Sequence, residues 1–218
     1  MRDEEGKYVQ AVVANYNDAD YEGIINNVNG VTLEDGTSIS AVEFTAWVAG
    51  ATAGASLVES NTGKTINGAV GIVDQLSNEA IISGLKTGQF ILSSNQNGTI
   101  KVEKDINSLH TYSDDISYNF TKNRVIRVLD TIGSDIKNIW ETTFLGLVSN
   151  NVDGRDLFKA SLINYLKDLQ GRGAIQDFNG ADDVEVTQGQ AIDSVVADIR
   201  VKPVDSMEYL YLTINVVE

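Results

Sequence analysis

The pattern of hydrophobic and polar positions divides the first half of the chain into short strands. Brief apolar runs are separated by stretches rich in Gly and Asn, which is typical of strands joined by turns. Residues 11–14 are apolar without alternation, so the strand predicted over residues 8–14 is expected to be covered on both faces. Further strands are predicted at residues 24–26 and 31–33, around the turn pair Asn29-Gly30, and a hairpin is predicted from residues 89–92 and 99–103.

Two helices are predicted between these strands. The first covers residues 40–53, where Ser40 and Glu43 have the spacing of a capping box. One of its faces carries small residues and permits close packing against a sheet or another helix; these are Ala46, Ala49, Gly50 and Ala53. The second helix covers residues 77–87, and residues 55–75 are predicted to be irregular.

The second half of the chain begins with its strongest helical pattern. Within residues 120–148, apolar side chains recur at spacings of three and four, at Ile126, Leu129, Ile132, Ile136, Ile139 and Trp140. A second helix over residues 155–170 completes a predicted αα-hairpin. The polar segment before these helices predicts a domain boundary near residue 115, with Asp114 and Asp115 as favourable charges near the start of the long helix.

The C-terminal residues change to a period of two, which is typical of strands. Short strands are predicted around Val184 and over residues 195–201, the latter ended by Pro203. A last strand carries Leu210, Leu212, Ile214 and Val216 on one face. The pattern as a whole predicts an α+β fold. An incomplete α/β part over residues 1–115 is followed by a C-terminal domain over residues 116–218, with two helices packed on a small, mainly antiparallel sheet.

Composition excludes several classes of function. Lys and Arg total 16 against 31 Asp and Glu, and the formal charge of −15 argues against binding to nucleic acid or to an anionic membrane surface. The chain has no cysteine and a single histidine, His110, which excludes disulfides, zinc–thiolate sites and any site that needs two histidines. No apolar run approaches the ~20 residues of a membrane span, so no direct membrane insertion is expected.

Two segments resemble ligand-binding loops in part. Residues 62–65 match the end of a P-loop, but Val58 stands where that motif needs glycine. Asp18, Asp20 and Glu22 follow the first half of an EF-hand loop whose twelfth position lacks the required Glu. A polar turn is the favoured interpretation. Weak calcium binding there, or a divalent-metal-dependent hydrolase built around the acidic loops, stays open as an alternative.

Two further features indicate contacts with other proteins. Lys122, Arg124 and Arg127 form a basic cluster in an acidic chain. They predict either a solvated helix face that pairs with Asp130 or a docking patch for an acidic partner. The last strand pairs either within its own domain or with a neighbouring subunit by strand addition, and the pattern leaves both open.

Seven segments, in order along the chain, carry a resemblance to a known family. They are SAVEF (40–44), VAG (48–50), AG (53–54), VEKDINSL (102–109), KNRVIRVLD (122–130), NVDGR (151–155) and VKPVDSME (201–208). Taken together they resemble the tail sheath proteins of contractile phage tails, in particular those of prophages and of phage-tail-like bacteriocins of Gram-positive bacteria. The resemblance covers most of residues 8–217 and is most specific in the C-terminal third.

The resemblance implies a structural subunit without enzymatic activity and without a cofactor. Such a subunit polymerises around an inner tube and contracts to drive it through a target cell envelope. The implied partners are identical sheath subunits, the inner tail tube protein, and the baseplate and tail terminator proteins. The implied location is the tail of a virion or tail-like particle, assembled in the bacterial cytoplasm. The resemblance further implies that strands upstream of this chain complete the α/β domain. The alternative is another structural assembly protein of a tail or secretion machine.

The resemblance also implies roles for two sets of residues. The last strand is expected to join a sheet shared with a neighbouring subunit through Tyr209, Leu210, Tyr211, Leu212, Thr213, Ile214, Asn215, Val216 and Val217. The C-terminal domain would face the tube, which makes Lys122, Arg124 and Arg127 candidate tube contacts.

Overall fold

The computed structural model describes residues 6–217, in which helices and small sheets surround two hydrophobic cores. Residues 1–5 and Glu218 lie outside the described residues. Among residues 6–217 no helix is both long and apolar enough to cross a membrane. The predicted α+β class is confirmed.

Within residues 6–217 the strands are short and belong to five small sheets. In chain order they are β1 (Ala11–Ala14), β2 (Ile24–Asn27), β3 (Gly30–Leu33), β4 (Ser38–Ile39), β5 (Ala69–Val73), β6 (Gln89–Phe90), β7 (Leu92–Ser94), β8 (Ile100–Val102), β9 (Ile175–Gln176), β10 (Val184–Gln188), β11 (Val195–Ile199) and β12 (Lys202–Pro203). Parallel strands form one sheet in the order β1-β2-β6, and β4-β3-β5 form an antiparallel sheet. The remaining pairs, β7-β8, β10-β11 and β9-β12, are antiparallel.

Two helices cover the sheets of the first core. Helix α1 (Ala41–Gly54) begins with the predicted capping box: Glu43 N–H donates to Ser40 Oγ, and Ser40 N–H donates to Glu43 Oε2 at 2.8 Å. Its buried face carries Phe44 and Val48, which pack in the first core. Helix α2 (Asn78–Lys86) begins after Ser77, whose Oγ accepts from Ala80 N–H. Both predicted helices are therefore confirmed.

The predicted αα-hairpin forms the second core. Helix α3 (Asn123–Ile139) passes into a π-helical turn (Trp140–Phe144), and α4 (Val152–Gly171) follows with Asn151 as its N-cap. The buried side chains of this core come mainly from these helices and from the strands that pack on α4; they are Val128, Ile132, Phe144, Phe158, Leu162, Leu166, Leu169, Ala174, Ile175 and Val184.

The turn predicted at Asn29-Gly30 is wrong, because the chain passes there from one sheet into another. Strand β2 belongs to the parallel sheet and β3 to the antiparallel one, so the two do not form a hairpin. Gly30 is needed for a close approach: a Cβ atom at this position would lie 2.0 Å from the carbonyl oxygen of Ile39.

Other local predictions fail where distant residues decide the outcome. Strand β1 is half-buried instead of covered on both faces, and within residues 6–217 it is an edge strand that pairs only with β2. The small-residue face of α1 is largely exposed. Residues 69–73, predicted to be irregular, form β5.

Two further corrections concern the second half. Helix α3 begins at Asn123 with no acidic residue in its first turn, so Asp114 and Asp115 do not cap it. Pro203 does not end β11; that strand ends at Ile199, and Pro203 lies in β12 opposite Ile175.

Candidate assembly interface

Residues 209–217, which we name the terminal segment, are bound to the described part of the molecule only through their first residue, Tyr209. The period-two pattern predicts a strand, yet no residue of this segment is in a strand, and none from 210 to 217 makes a hydrogen bond to described residues. Its apolar face lies in solvent: Leu210, Ile214 and Val216 are 85%, 77% and 91% exposed. Burial of each such side chain would contribute about 1.5–3 kcal/mol, so a partner surface is energetically favoured.

An apolar groove lies between α3 and β11 in the same domain. It consists of two adjoining concavities of about 430 and 360 Å³ that share Trp140, Phe158 and Val195. Ile136 and Ala197 extend the groove along β11, and Ile192, at its other end, is 85% exposed. This apolar groove is therefore a concave counterpart to the exposed apolar face of the terminal segment.

The hairpin beside the groove has free strand edges. Strands β10 and β11 pair with each other from Val184 opposite Ile199 to Gln188 opposite Val195. Among the described residues neither strand pairs with a third. Unpaired strand edges expose N–H and C=O groups that accept an added strand.

The terminal segment leaves the domain at a buried ion pair. Lys122 Nζ pairs with Glu208 Oε2, and the two side chains are only 6% and 5% exposed. Asp205 lies 3.4 Å from the same Nζ, and Thr62 Oγ1 donates to Glu208 Oε1 at 2.8 Å. Both carboxylate oxygens of Glu208 therefore have partners, as buried charge requires.

A second buried carboxylate joins the two halves of the chain. The Asp105 side chain has no exposed surface and accepts from Asn61 N–H and Asn123 Nδ2, both at 2.9 Å. Arg127 Nη2 lies 3.9 Å away, and Arg127 Nη1 donates to the carbonyl oxygens of residues 56 and 59. Burial lowers the pKa of Arg127 from its ordinary value although Asp105 opposes the shift. Asp105 thus holds the start of α3 against the loop after α1.

Lys104 binds Tyr209, the first residue of the terminal segment. Lys104 Nζ donates to Tyr118 Oη at 3.0 Å and to Tyr209 Oη, and it lies 4.6 Å from the centre of the Tyr209 ring. Burial disfavours the charged lysine, but the two hydrogen bonds outweigh it and raise the pKa of Lys104. The ammonium therefore stays charged over the ordinary pH range and holds Tyr209 by cation–π attraction.

The basic cluster is not a solvated surface. Lys122 and Arg124 are 5% and 7% exposed, and the Arg127 side chain is 13% exposed. The prediction of a solvated face is therefore wrong, because Lys122 packs under the root of the terminal segment and Arg127 against the loop after α1. The docking patch for an acidic partner, and contact of the three residues with a tube, stay predictions; for Lys122 such a contact would require this root to move.

The partial ligand motifs serve as ordinary loop contacts. Asp20 Oδ1 accepts from the N–H groups of His110 and Thr111 at 2.7 and 3.1 Å. Burial opposes the charge of Asp20, but these hydrogen bonds lower its pKa from the ordinary value. Lys64, in the P-loop-like segment, binds Asn61 and Glu59. Within residues 6–217 no three His, Asp or Glu side chains are close enough to hold a metal ion.

The buried polar contacts around Glu208 and Asp105, which we call the buried network, include three residues that no sequence signal marks. In the sequence, Thr62 belongs to the P-loop-like segment, and Asp105 and Glu208 belong to segments that carry the family resemblance. The contacts that join these three residues span 43 positions from Thr62 to Asp105 and 146 positions from Thr62 to Glu208, so no local pattern reports them.

Comparison with known proteins assigns the class. Residues 1–108 match the family model of the phage tail sheath protein central domain, and residues 115–217 match that of the phage tail sheath C-terminal domain. The chain therefore belongs to the phage tail sheath family.

Individual relatives agree with this membership. The chain is 35% identical over 99% of its length to protein XkdK of the phage-like element PBSX of Bacillus subtilis, and 33% identical over 78% of its length to the tail sheath protein of Clostridium phage phiCD119. It covers 48% and 46% of these relatives. The chain thus spans about half the length of the curated relatives it matches.

Solved structures show the same fold. The sheath tail protein of Desulfitobacterium hafniense is 44% identical with a TM-score of 0.88, over 97% of this chain and 49% of that one. The helical sheath of the anti-feeding prophage in its contracted state matches at 14% identity with a TM-score of 0.72, over 94% of this chain and 61% of that one, which indicates a shared fold alone.

Proposed function

We propose that this chain is the assembly-forming part of a contractile tail sheath subunit. Copies of the subunit polymerise around an inner tube, and their contraction drives the tube through a target cell envelope. The observation that carries the proposal is the exposed apolar face of the terminal segment, which makes no hydrogen bond to described residues from residue 210 to residue 217, in a member of the phage tail sheath family.

The terminal segment of one subunit joins the C-terminal domain of another. The segment adds its backbone to a free edge of the β10-β11 hairpin, and its alternate side chains enter the apolar groove. Support comes from the free strand edges, from the groove beside β11 and from the period-two pattern of residues 210–216. Because a covalently continuous arm ties each copy to the next, subunits can shift against each other without separating.

The partners follow from this role. Identical sheath subunits are the main partners, together with the inner tail tube protein and the baseplate and tail terminator proteins. The work is done by a change in subunit packing, so the proposal requires neither an enzymatic step nor a cofactor. The site of action is the tail of a virion or tail-like particle, after assembly in the bacterial cytoplasm.

Removal of the terminal segment tests the proposal. The full-length protein without residues 209–217 is expected to stay folded, because these residues contribute little to either core, yet to form no sheath polymers. Sedimentation and electron microscopy measure polymer formation, and circular dichroism measures folding. Polymers of normal length and yield from the folded truncated protein would refute the proposed role of the segment.

A further inference from the structure

A buried ion pair lies immediately before the exposed terminal segment. The Glu208 side chain is 5% exposed, whereas Leu210 is 85% exposed. Because Glu208 accepts from both Lys122 and Thr62, its carboxylate is fixed in position one residue before Tyr209, the last residue that hydrogen-bonds to the described part of the chain. We name Thr62, Lys122 and Glu208 the anchor.

The anchor connects three separate stretches of chain. Lys122 is the N-cap residue of α3, Thr62 lies in the loop after α1, and Glu208 is at the root of the terminal segment. Thr62 Oγ1 also accepts from Asp105 N–H at 2.9 Å, which extends the contacts to the buried Asp105. A displacement of Glu208 therefore changes contacts in both halves of the chain.

A neighbouring contact fixes the rotation of the segment. Tyr209 is held by Lys104, one position after Glu208 is held by Lys122. Successive side chains of an extended chain point to opposite faces, so two attachments at adjacent residues set its orientation, whereas one would let it turn. Residues 210, 212, 214 and 216 share the parity of residue 208. In an extended segment, the apolar face is thus on the side that the anchor defines.

We propose that the anchor sets the direction and facing in which the terminal segment is presented to a second copy of this chain. The inference rests on the proposed strand exchange, in which the terminal segment of one subunit joins the β10-β11 hairpin of another. It adds the contacts that orient the segment before it docks. A segment held in one orientation loses less conformational entropy on docking than a free one. The anchor also transmits a pull on the docked segment to α3 and to the loop after α1.

Variants that remove both charges of the Lys122–Glu208 pair test the anchor without leaving either of the two buried and unpaired. Asp205, which also faces Lys122 Nζ, is 32% exposed and keeps contact with solvent. In the full-length protein, Lys122→Met with Glu208→Leu replaces the pair by apolar side chains of similar size, which buried sites tolerate. The matched control is Lys202→Met, which removes a lysine from an exposed pair with Asp177 in the same domain. Because the chain has no cysteine, spin labels can be placed on it at Leu212→Cys and, on α4, at Lys167→Cys.

The double variant is expected to keep the melting temperature of the parent, to broaden the distance distribution between the two labels, and to raise the concentration needed for polymers at least tenfold. The Lys202→Met control should change none of these quantities. A folded double variant with an unchanged distance distribution and unchanged assembly would overturn the anchor. If the double variant fails to fold, Glu208→Gln, which keeps the shape and the hydrogen bond from Thr62, takes its place with the same expected and contradicting results.

Failure of the anchor is distinguishable from failure of the proposed function. If deletion of residues 209–217 abolishes polymers but the double variant assembles like the parent, the proposed strand exchange is supported and the proposed role of the anchor is refuted. If the deletion leaves polymers intact, strand exchange falls together with the anchor.

Discussion

Leu212→Glu with Ile214→Glu is expected to abolish polymer formation by the full-length protein, whereas Thr213→Glu with Asn215→Glu is expected to leave most of it intact. The two pairs introduce the same charge into the same segment, but on opposite faces of an extended chain. Only the first pair removes apolar side chains that the proposed interface buries. Loss of that burial costs about 3–6 kcal/mol for the two side chains, or roughly a 100- to 10,000-fold weaker association at each interface.

The comparison is measured by sedimentation of polymers over a range of protein concentrations, with electron microscopy of the pellets. Both double variants are expected to melt like the parent, because the side chains at 212 to 215 are exposed in the described molecule. Equal loss of assembly by both pairs would indicate a general charge effect and would contradict a face-specific contact.

Asp105→Ala is expected to lower the melting temperature by about 6–20 °C. The substitution leaves Arg127 without its buried carboxylate and takes the acceptor away from Asn61 N–H and Asn123 Nδ2. Removal of one member of a buried ion pair costs about 3–5 kcal/mol, and each kcal/mol corresponds to about 2–4 °C for a chain of this size. Calorimetry of the full-length protein measures the effect.

Two controls separate the buried network from a general effect of lost charge. Asp114→Ala, at an exposed position, is expected to change the free energy of unfolding by less than about 0.5 kcal/mol. Asp105→Asn keeps an oxygen acceptor and should lose less stability than Asp105→Ala. A melting temperature of Asp105→Ala within 2 °C of the parent, a margin of about 1 kcal/mol or less, would contradict the role given to Asp105.

Local signals predicted the helices well, because their causes lie within a few residues. The spacing of Ser40 and Glu43 directly predicts the capping box, and the position of Ser77 before its helix predicts the second cap. The hairpin of β7 and β8 forms around Asn95 and Gly98 as the turn residues indicate, although residues 89–90 leave it for the parallel sheet. Choice of sheet depends on distant strands, which no local window contains.

The candidate interface could be predicted only in part. The alternation of Leu210, Leu212, Ile214 and Val216 indicates a strand, but the pattern is the same whether the partner lies in the same molecule or in another. The exposure of this face in the folded chain supports the proposed partner in another molecule, and no sequence pattern contains that information.

For the basic cluster, the sequence pattern does not reveal that charged side chains are buried. Spacing alone predicts either a solvated helix face or a docking patch for Lys122, Arg124 and Arg127, because charges on a helix are usually solvated. Glu208, the partner of Lys122, lies 86 positions away along the chain, and its approach turns an apparent surface patch into a buried junction. Burial of charge is a property of tertiary packing, which composition and spacing do not report.

Cysteine cross-linking between two copies tests the central claim most directly. One full-length variant carries a cysteine at Ile214 and an affinity tag, and an untagged variant carries a cysteine at Ala197 in the apolar groove; the chain itself supplies no other cysteine. Oxidation of mixed polymers is expected to give tagged–untagged dimers, with few when the first cysteine is moved to Asn215. The first cysteine is also placed in turn at positions 210, 212 and 216. The account would be contradicted if well-formed mixed polymers gave no such dimers at any of the four positions.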